Sequence, residues 1–295
     1  METEKKFYGM RNDYMFHAVL QKNEQVLRHL LATLLEMDEA DIASCRIENP
    51  IELGKEIEGK DCVLDVKLQL NDDRIINIEL QVYKQTYWVN RSLLYWARAY
   101  DSIKSGQENG MLLPTYHIGI LDFTLFEEHP KFMAQYRIMD VEDHFLYSDK
   151  LCIKVLDLTQ IEKAEKMPDT DKSLLKWAKI FKAETLEELE QLTSGEEVFE
   201  KMVFTLKQLG EDEKIRMQCQ AREDYERCLL SEYNAGKREG IEIEKMNTEK
   251  ERRRAETEAK RAEAQAKKAE AAIRRAEELE KELLRLRETV AEKGV

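Results

Sequence analysis

The chain has 295 residues, enough for one or two domains with a hydrophobic core, and 42% of them are hydrophobic. The charged fraction of 36% is high for a globular protein and predicts a solvated helical extension. The formal net charge of −13 argues against a broadly basic nucleic-acid-binding surface, because phosphate contacts depend on Lys and Arg.

Five cysteines are scattered along the chain without a CxxC pair, which favours a reducing compartment over a disulfide framework or a cysteine-rich zinc site. The N-terminus has no apolar segment of the signal-peptide type, and no apolar run approaches the ~20 residues that span a bilayer. We therefore expect a soluble, cytoplasmic protein with no membrane partner.

The first half of the chain predicts a mixed sheet. Apolar residues recur at helical spacing over 13–36, which predicts a first helix. Residues 63–70 and 75–82 alternate with period two, as half-buried strands do. The order α-β-β-α-β favours an α/β fold with helices on the faces of the sheet. The remaining predicted elements are a helix over 86–105, buried strands over 116–123 and 151–158, and a possible strand at 136–140.

The second half of the chain is amphipathic and poor in strand residues, with predicted helices near 171–190, 195–209 and 213–235. From about 241 onward Ala, Glu, Lys and Arg dominate, and residues 241–295 carry 15 Lys and Arg against 14 Asp and Glu. The excess negative charge therefore lies in residues 1–240. The predicted domains are a core at 7–160, a helical subdomain at 161–240, and a charged helix or coiled coil at 241–293.

The C-terminal segment has a heptad pattern. Small or apolar residues recur at alternating steps of four and three, with a phase slip after Ala276. The first half of this seam is mostly alanine, whereas the second half carries Leu279, Leu283, Leu286 and Val290. The pattern is open to two interpretations, a coiled coil or a monomeric helix held by ion pairs. The basic cluster KERRR at 250–254 also has two interpretations, nucleic-acid contact or i,i+4 pairing along a solvated helix, of which the alternating charges that follow favour pairing.

The two alternating segments place polar side chains on one face of a β-hairpin, opposite the apolar face. The sequence NDDR between them is a turn signal. With Asp72–Arg74 as the loop, Asp65 pairs with Gln81 and has Glu79 as its diagonal neighbour. The polar residues so placed are Asp65, Lys67, Gln69, Asn77, Glu79 and Gln81.

Two converging carboxylates suit a hard divalent cation, Mg²⁺ or Mn²⁺, with the backbone carbonyl of Leu80 as a further ligand. Such an ion polarises a scissile phosphate and stabilises the leaving oxygen. The alternative is an exposed strand face that carries acids only because it meets water. No histidine pair has HxH or HExxH spacing, and neither GxxxxGK[ST] nor GxGxxG occurs, so neither a zinc site nor a nucleotide cofactor is predicted.

The segments LDVKLQL and IINIELQVY together resemble the Asp…Glu-x-Lys core of the PD-(D/E)XK nuclease superfamily. The order of RNDYMFHAVL, NRSLLYWARAYDSIKSG, YHIGILDF and YNAGKREGIEIEK resembles the Rpn-type recombination-promoting nuclease/putative transposase family. The similarity covers roughly residues 7–245 and implies a restriction-endonuclease-like fold. It also implies a Mg²⁺-dependent endodeoxyribonuclease active in DNA recombination, with DNA as its partner.

By this resemblance Asp65 and Glu79 are the metal-binding carboxylates, and Gln81 stands where the superfamily has its catalytic lysine. Glutamine can hydrogen-bond a water but supplies no positive charge. Either Lys67 or Lys84 is a candidate to supply that charge, or each is a solvated surface lysine. The hairpin is then the catalytic centre of the predicted enzyme.

Three further residues are candidate accessories. Asp13 precedes the first helix and suits either an N-cap or an additional acid of the site. Arg91 and Tyr95 lie one helical turn apart after the second strand, where they face the site or serve packing and a surface ion pair.

Two functions follow. The first is a metal-dependent DNA endonuclease, expected as a homodimer because paired sites let it cut both strands. The second is a catalytically weak or inactive binding protein that self-associates through its C-terminal helix, as the acidic body and Gln81 suggest.

Overall fold

A computed structural model describes residues 6–51, 53, 65–101 and 108–292 of the chain. The α-helices are α1 (Asp13–Lys22), α2 (Glu24–Leu35), α3 (Trp88–Tyr100), α4 (Ile161–Glu165), α5 (Lys172–Lys182), α6 (Leu186–Thr193), α7 (Glu197–Glu211) and α8 (Glu213–Glu292). The strands are β1 (Cys45–Ile47), β2 (Val66–Leu70), β3 (Arg74–Gln81), β4 (Thr115–Leu121), β5 (Met133–Met139) and β6 (Leu146–Asp157). Short 3₁₀ turns lie at Glu39–Asp41, Asn109–Met111 and Leu158–Gln160.

The strands form one mixed sheet in the order β1-β2-β3-β4-β6-β5. β3, β4 and β6 run parallel at its centre, while β1, β2 and β5 pair antiparallel with their neighbours. The parallel strands are rich in branched residues because helices cover both faces of the central sheet. The predicted fold class, a mixed sheet flanked by helices with a long C-terminal helix, is confirmed.

Alternating side chains divide the sheet into two faces. Ile76 and Ile78 of β3 belong to the main core, together with buried residues of α1, α2, α5 and α7. A smaller apolar cluster on the other face surrounds Trp88, the first residue of α3. Asn77 and Glu79, which alternate with the two isoleucines, therefore lie on the face that α3 covers.

The helix predicted over residues 13–36 is two helices. Asn23 separates them: its N–H donates to the Val19 carbonyl and its side-chain oxygen accepts from the Val26 N–H. One asparagine thus ends α1 and caps α2, so the apolar pattern continues while the helix axis breaks. The prediction of Asp13 as an N-cap is also wrong, because the Asn12 side chain accepts the Met15 N–H and Asp13 lies inside the first turn.

The hairpin register differs from the predicted one by two residues. The turn is Asn71–Asp73, with Asn71 and Asp72 in the left-handed region at φ 52° and 55°, and Leu70 pairs with Arg74. Asparagine and aspartate tolerate this conformation better than most residues, which explains the early turn. Because the shift is even, every predicted polar residue keeps its face.

Most of the other predicted elements agree with the structure to within a few residues. The helical segment predicted near 171–190 is two helices, α5 and α6, and the segments predicted at 213–235 and 241–293 belong to one helix, α8. Two strands also differ from the prediction. β1 lacks an alternating pattern and was not predicted. β6 begins at Leu146, five residues before the predicted start, because its first part pairs with the edge strand β5. Residues 63, 64 and 102–105 of the predicted strand and helix lie outside the described residues.

The chain forms two compact units, Met1–Cys228 and Leu229–Val295. In the first unit, buried residues of α5, α7 and the start of α8 share the main core with α1 and α2. The predicted domain boundaries at residues 160 and 240 are not tested by this division, and they stay predictions about which segments fold independently. In the described ranges, no helix combines the length and apolar character needed to cross a membrane.

Gly119 of β4 allows the Trp88 ring to approach the sheet closely, since a Cβ at this position would overlap that ring. We expect Gly119→Ala to lower the free energy of unfolding by about 1–3 kcal/mol, the usual cost of overpacking a core. Thermal unfolding followed by circular dichroism measures this. Gly110→Ala is the matched control, since its Cβ meets no atom within 4 Å; equal melting temperatures for both variants would contradict the argument.

Candidate metal and active site

The candidate site lies on the sheet face that α3 covers, where β2, β3 and β4 adjoin. Val66 pairs with Ile78, so the same register continued by one residue sets Asp65 beside Glu79. The two carboxylates are thus direct cross-strand neighbours, closer than the predicted diagonal arrangement. An open depression of about 170 Å³ at Asp65 is lined by Asp65, Lys67, Asn77, Tyr95, Arg98 and Ala99.

Asp65 is held from two sides. Its carbonyl oxygen accepts from Asn49 Nδ2 at 2.6 Å, and its Oδ2 accepts from Asn77 Nδ2 at 3.1 Å. Burial raises the pKa of the Asp65 carboxyl to about 8, with a further contribution from the negative charge of Glu79. Asn77 and Arg91 oppose this rise only in part. A positive charge at this position would favour the ionised form of Asp65.

Glu79 is 1% exposed, and its two oxygens face different groups. Oε1 accepts a short contact from Arg91 Nη2, while Oε2 lies 3.4 Å from His117 Nε2. Neither Oε2 nor His117 Nε2 has a hydrogen-bond partner within the described part of the chain. A buried acceptor of this kind is costly unless a further group satisfies it.

Asn77 and His117 connect the two acids, and sequence analysis missed both. Asn77 Nδ2, which donates to Asp65, also lies 3.1 Å from His117 Nδ1. In the sheet they form a buried polar pair, because Asn77 and His117 are direct partners across the parallel strands β3 and β4. Sequence spacing does not reveal which strands adjoin, so the pair is evident only once the sheet order is known.

Gln81, the last residue of β3, lies two positions after Glu79 on the same side of the strand. Its Nε2 donates to the Tyr83 carbonyl at 3.2 Å, so the structure does not bring this amide onto either carboxylate. Leu80 points its side chain to the main core. Of the predicted triad, Asp65 and Glu79 are together and Gln81 is adjacent.

The accessory lysines are engaged elsewhere. Lys67 lines the depression, but its Nζ lies 3.0 Å from Glu48 Oε2. Lys84 is exposed and its Nζ lies 2.6 Å from Glu127 Oε1. Both ammonium groups are thus paired with acids outside the site, and their role as a source of positive charge stays a prediction.

Residues of one face of α3 border the site. Arg91 contacts Glu79 and donates to Gln85 Oε1 at 2.8 Å. Its guanidinium lies 5.2 Å from the centroid of the Tyr95 ring. Burial raises the pKa of the Tyr95 hydroxyl. Arg98 was missed by sequence analysis, although the steps of four and three from Arg91 to Tyr95 and Arg98 place all three on one helix face.

Asp13 is buried and forms a bidentate ion pair with Arg222 of α8; one of its bonds joins Arg222 Nε and Asp13 Oδ2 at 2.9 Å. The charge of Asp13 also raises the pKa of Asp65, although it is the smallest of the named contributions. Glu226, one turn after Arg222, has a pKa raised to about 7 by burial and by Asp13. The start of α8 thus borders the acidic site through Asp13.

A family model described as PD-(D/E)XK nuclease family transposase matches residues 10–235. The chain belongs to this family. Membership in the PD-(D/E)XK nuclease family transposases gives it a restriction-endonuclease-like fold and a nuclease or transposase type of function, and the mixed sheet agrees with that fold. No curated protein and no solved structure matches the chain.

PD-(D/E)XK nucleases generally use divalent metal ions, and the donors of this site fit one. Glu79 Oε2 is a buried acceptor without a hydrogen-bond partner. The pKa of Asp65 is raised because the neighbouring Arg91 and Asn77 do not offset burial and the charge of Glu79, so a bound cation would favour its ionised form. In the described ranges, no three His, Cys, Asp or Glu side chains surround a common metal position. Ligands beyond Asp65 and Glu79 would therefore be backbone or water oxygens, as Mg²⁺ accepts.

Proposed function

We propose that the protein is a metal-dependent endonuclease that hydrolyses phosphodiester bonds of DNA. The observation that carries the proposal is the pair Asp65 and Glu79, adjacent across two strands with an open depression at Asp65, in a chain of this family. The direct test is plasmid nicking with Mg²⁺, Mn²⁺ or Ca²⁺ by the parent and by Asp65 variants.

The residues that would hold the ion, Mg²⁺ or Mn²⁺, are Asp65 and Glu79, with the Leu80 carbonyl as a third oxygen. Mg²⁺, when bound, supplies positive charge that polarises the scissile phosphate and stabilises the leaving oxygen. The chain's own contribution is to place the two carboxylates side by side on adjoining strands. Arg91 holds Glu79 Oε1, which orients the carboxylate and offsets part of the negative charge.

Gln81 is the residue proposed to orient the attacking water. Its amide oxygen can accept a hydrogen bond from the water and so orient it. As the water oxygen bonds to phosphorus, the bond to the leaving oxygen breaks, and the proton that the water releases passes through solvent to that leaving oxygen. Lacking a positive charge, Gln81 would activate the water less than a lysine does. Arg98 and Tyr95, on the rim of the depression, are suitably placed to contact the phosphate backbone.

A second candidate is a catalytically weak or inactive binding protein. It is favoured by the Arg91–Glu79 contact, which satisfies one oxygen of Glu79 without a metal, and by the acidic first 240 residues. Calorimetric titration with Mg²⁺ or Mn²⁺ discriminates between the two. Absence of binding at millimolar metal would favour this second function.

We further propose that the C-terminal half of α8 associates as a coiled coil and makes the protein a homodimer. Leu279, Leu283 and Leu286 lie on one helix at heptad spacing and are each more than half exposed. In the basic cluster, Arg252 and Arg253 pair with Glu256 and Glu249 at i,i+4 spacing. These pairs support the solvated-helix interpretation of KERRR over nucleic-acid contact.

Truncation after residue 240 is expected to convert the dimer to a monomer while leaving the first unit folded, because that unit ends at Cys228. Light scattering coupled to gel filtration gives the mass of each form. The matched point variants are Leu283→Lys and Leu284→Lys, whose leucines are 53% and 56% exposed. Only Leu283 is on the seam, so only its variant should dissociate; an unchanged mass after truncation would contradict the coiled coil.

A further inference from the structure

A chain of side-chain contacts runs through the interior of the sheet from one acid of the site to the other. Asp65 Oδ2 lies 3.1 Å from Asn77 Nδ2, which lies 3.1 Å from His117 Nδ1. At the other side of the ring, His117 Nε2 lies 3.4 Å from Glu79 Oε2. Asn77 is 6% exposed and His117 is fully buried, so water does not replace these contacts.

The donors and acceptors of this chain have one consistent assignment. The Asn77 amide nitrogen has two hydrogens, one for Asp65 and one for His117. His117 Nδ1 must then accept, which places the ring proton on Nε2, directed at Glu79. One asparagine and one histidine thus lie between the two carboxylates and contact one of them each.

The ring of His117 is confined by aromatic neighbours. Its centroid lies 5.8 Å from that of Trp88 and 6.4 Å from that of Tyr95. Trp88 is itself fixed against Gly119 of the same strand. The imidazole therefore has little freedom to rotate, and its two nitrogens keep their directions.

An asparagine–histidine pair in the interior of a sheet is expensive unless its polar atoms are used, and apolar residues of similar size would cost less. We propose that Asn77 and His117 are positioning residues that fix the carboxylates of Asp65 and Glu79 relative to each other. The inference rests on the proposed nuclease function. It extends the site to a strand, β4, that contributes no acid of its own.

The test compares His117→Leu, His117→Gln and Thr115→Val in the full-length protein. Leucine removes both nitrogens, whereas the Gln amide can place an N–H where His117 Nε2 lies, 3.4 Å from Glu79 Oε2. We expect His117→Leu to lower the rate of Mg²⁺-dependent plasmid nicking about 10- to 100-fold, the usual cost of losing a group that orients a metal ligand. His117→Gln should regain most of that loss at a similar melting temperature.

Thr115→Val is the matched control, because Thr115 is buried on β4, and its hydroxyl donates to the Leu113 carbonyl at 3.1 Å rather than to an acid. It should nick at the parental rate. A second readout is the ¹⁵N spectrum of histidine ring nitrogens. His29 Nδ1 accepts from Trp177 Nε1, so two rings should show an accepting Nδ1. The His117 signals are those lost in His117→Gln; they should show the Nε2–H tautomer, and the Nδ1 signal should shift in Asn77→Leu.

The outcomes separate the two proposals. Parental nicking by His117→Leu, or equal losses in His117→Leu and His117→Gln that follow their melting temperatures, would overturn the positioning role and leave the nuclease function standing. An Nδ1–H tautomer at His117 would also overturn it. A parent protein without Asp65-dependent nicking would overturn the nuclease function, and the positioning role with it.

Discussion

Asp65→Asn is expected to reduce Mg²⁺-dependent nicking of supercoiled plasmid by about 100-fold or more, equivalent to about 2.7 kcal/mol of transition-state stabilisation. Asparagine preserves the size of the side chain but removes the negative charge that a hard cation requires. Asn77 can still contact the new side chain, so loss of activity would reflect lost charge rather than lost packing. The measurement is conversion of supercoiled to open-circular DNA over time.

The matched control for Asp65→Asn is Asp72→Asn. Asp72 lies in the turn of the same hairpin and is exposed, so its replacement removes one negative charge without touching the site. It should nick like the parent, and both proteins should be inactive in EDTA. Equal rates for Asp65→Asn and the parent would exclude Asp65 as a metal ligand and leave the binding-protein function as the better candidate.

The same substitution is expected to stabilise the metal-free protein at alkaline pH. In the folded state the pKa of Asp65 is about 8, because burial and Glu79 disfavour its charge, against 3.8 for an unperturbed Asp. Between these values the folded protein holds a proton that the unfolded chain has released, so stability falls as the pH rises. The asparagine side chain of the Asp65→Asn variant has no such proton to lose, and the variant escapes this destabilisation.

In EDTA, the melting temperature of Asp65→Asn should exceed that of the parent by a larger margin at pH 8.5 than at pH 5. A difference in margin of about 4 °C corresponds to about 1–2 kcal/mol in a protein of this size. Differential scanning calorimetry at the two pH values measures it. A margin that is constant with pH would show that the Asp65 carboxyl titrates normally, in which case a bound cation is not needed to explain its position.

Periodicity in the sequence was sufficient to predict the acidic face, because alternation is a local property of each strand. The placement of Asp65 and Glu79 on one face was therefore predicted correctly, although the predicted pairing register differs by two residues from the observed one. The break at Asn23 was hidden, since a cap that interrupts the helix need not interrupt the apolar pattern. The role of His117 could not be predicted for another reason. β4 pairs parallel with β3 after an intervening helix, and sequence spacing does not reveal which strands are neighbours in the sheet.

The hairpin turn has a consequence for insertions and deletions in this part of the gene. β2 is tied to β1, and β3 is tied to β4, so neither strand can slide freely to absorb a change in the length of Asn71–Asp73. A change of one residue must therefore be absorbed within the turn itself, because a slip of either strand by one residue would turn Asp65 or Glu79 toward the main core. A slip by two residues would leave both acids on the face that α3 covers but would change the residues opposite them. Length variation in this turn is therefore compatible with the site only where both strands keep their register.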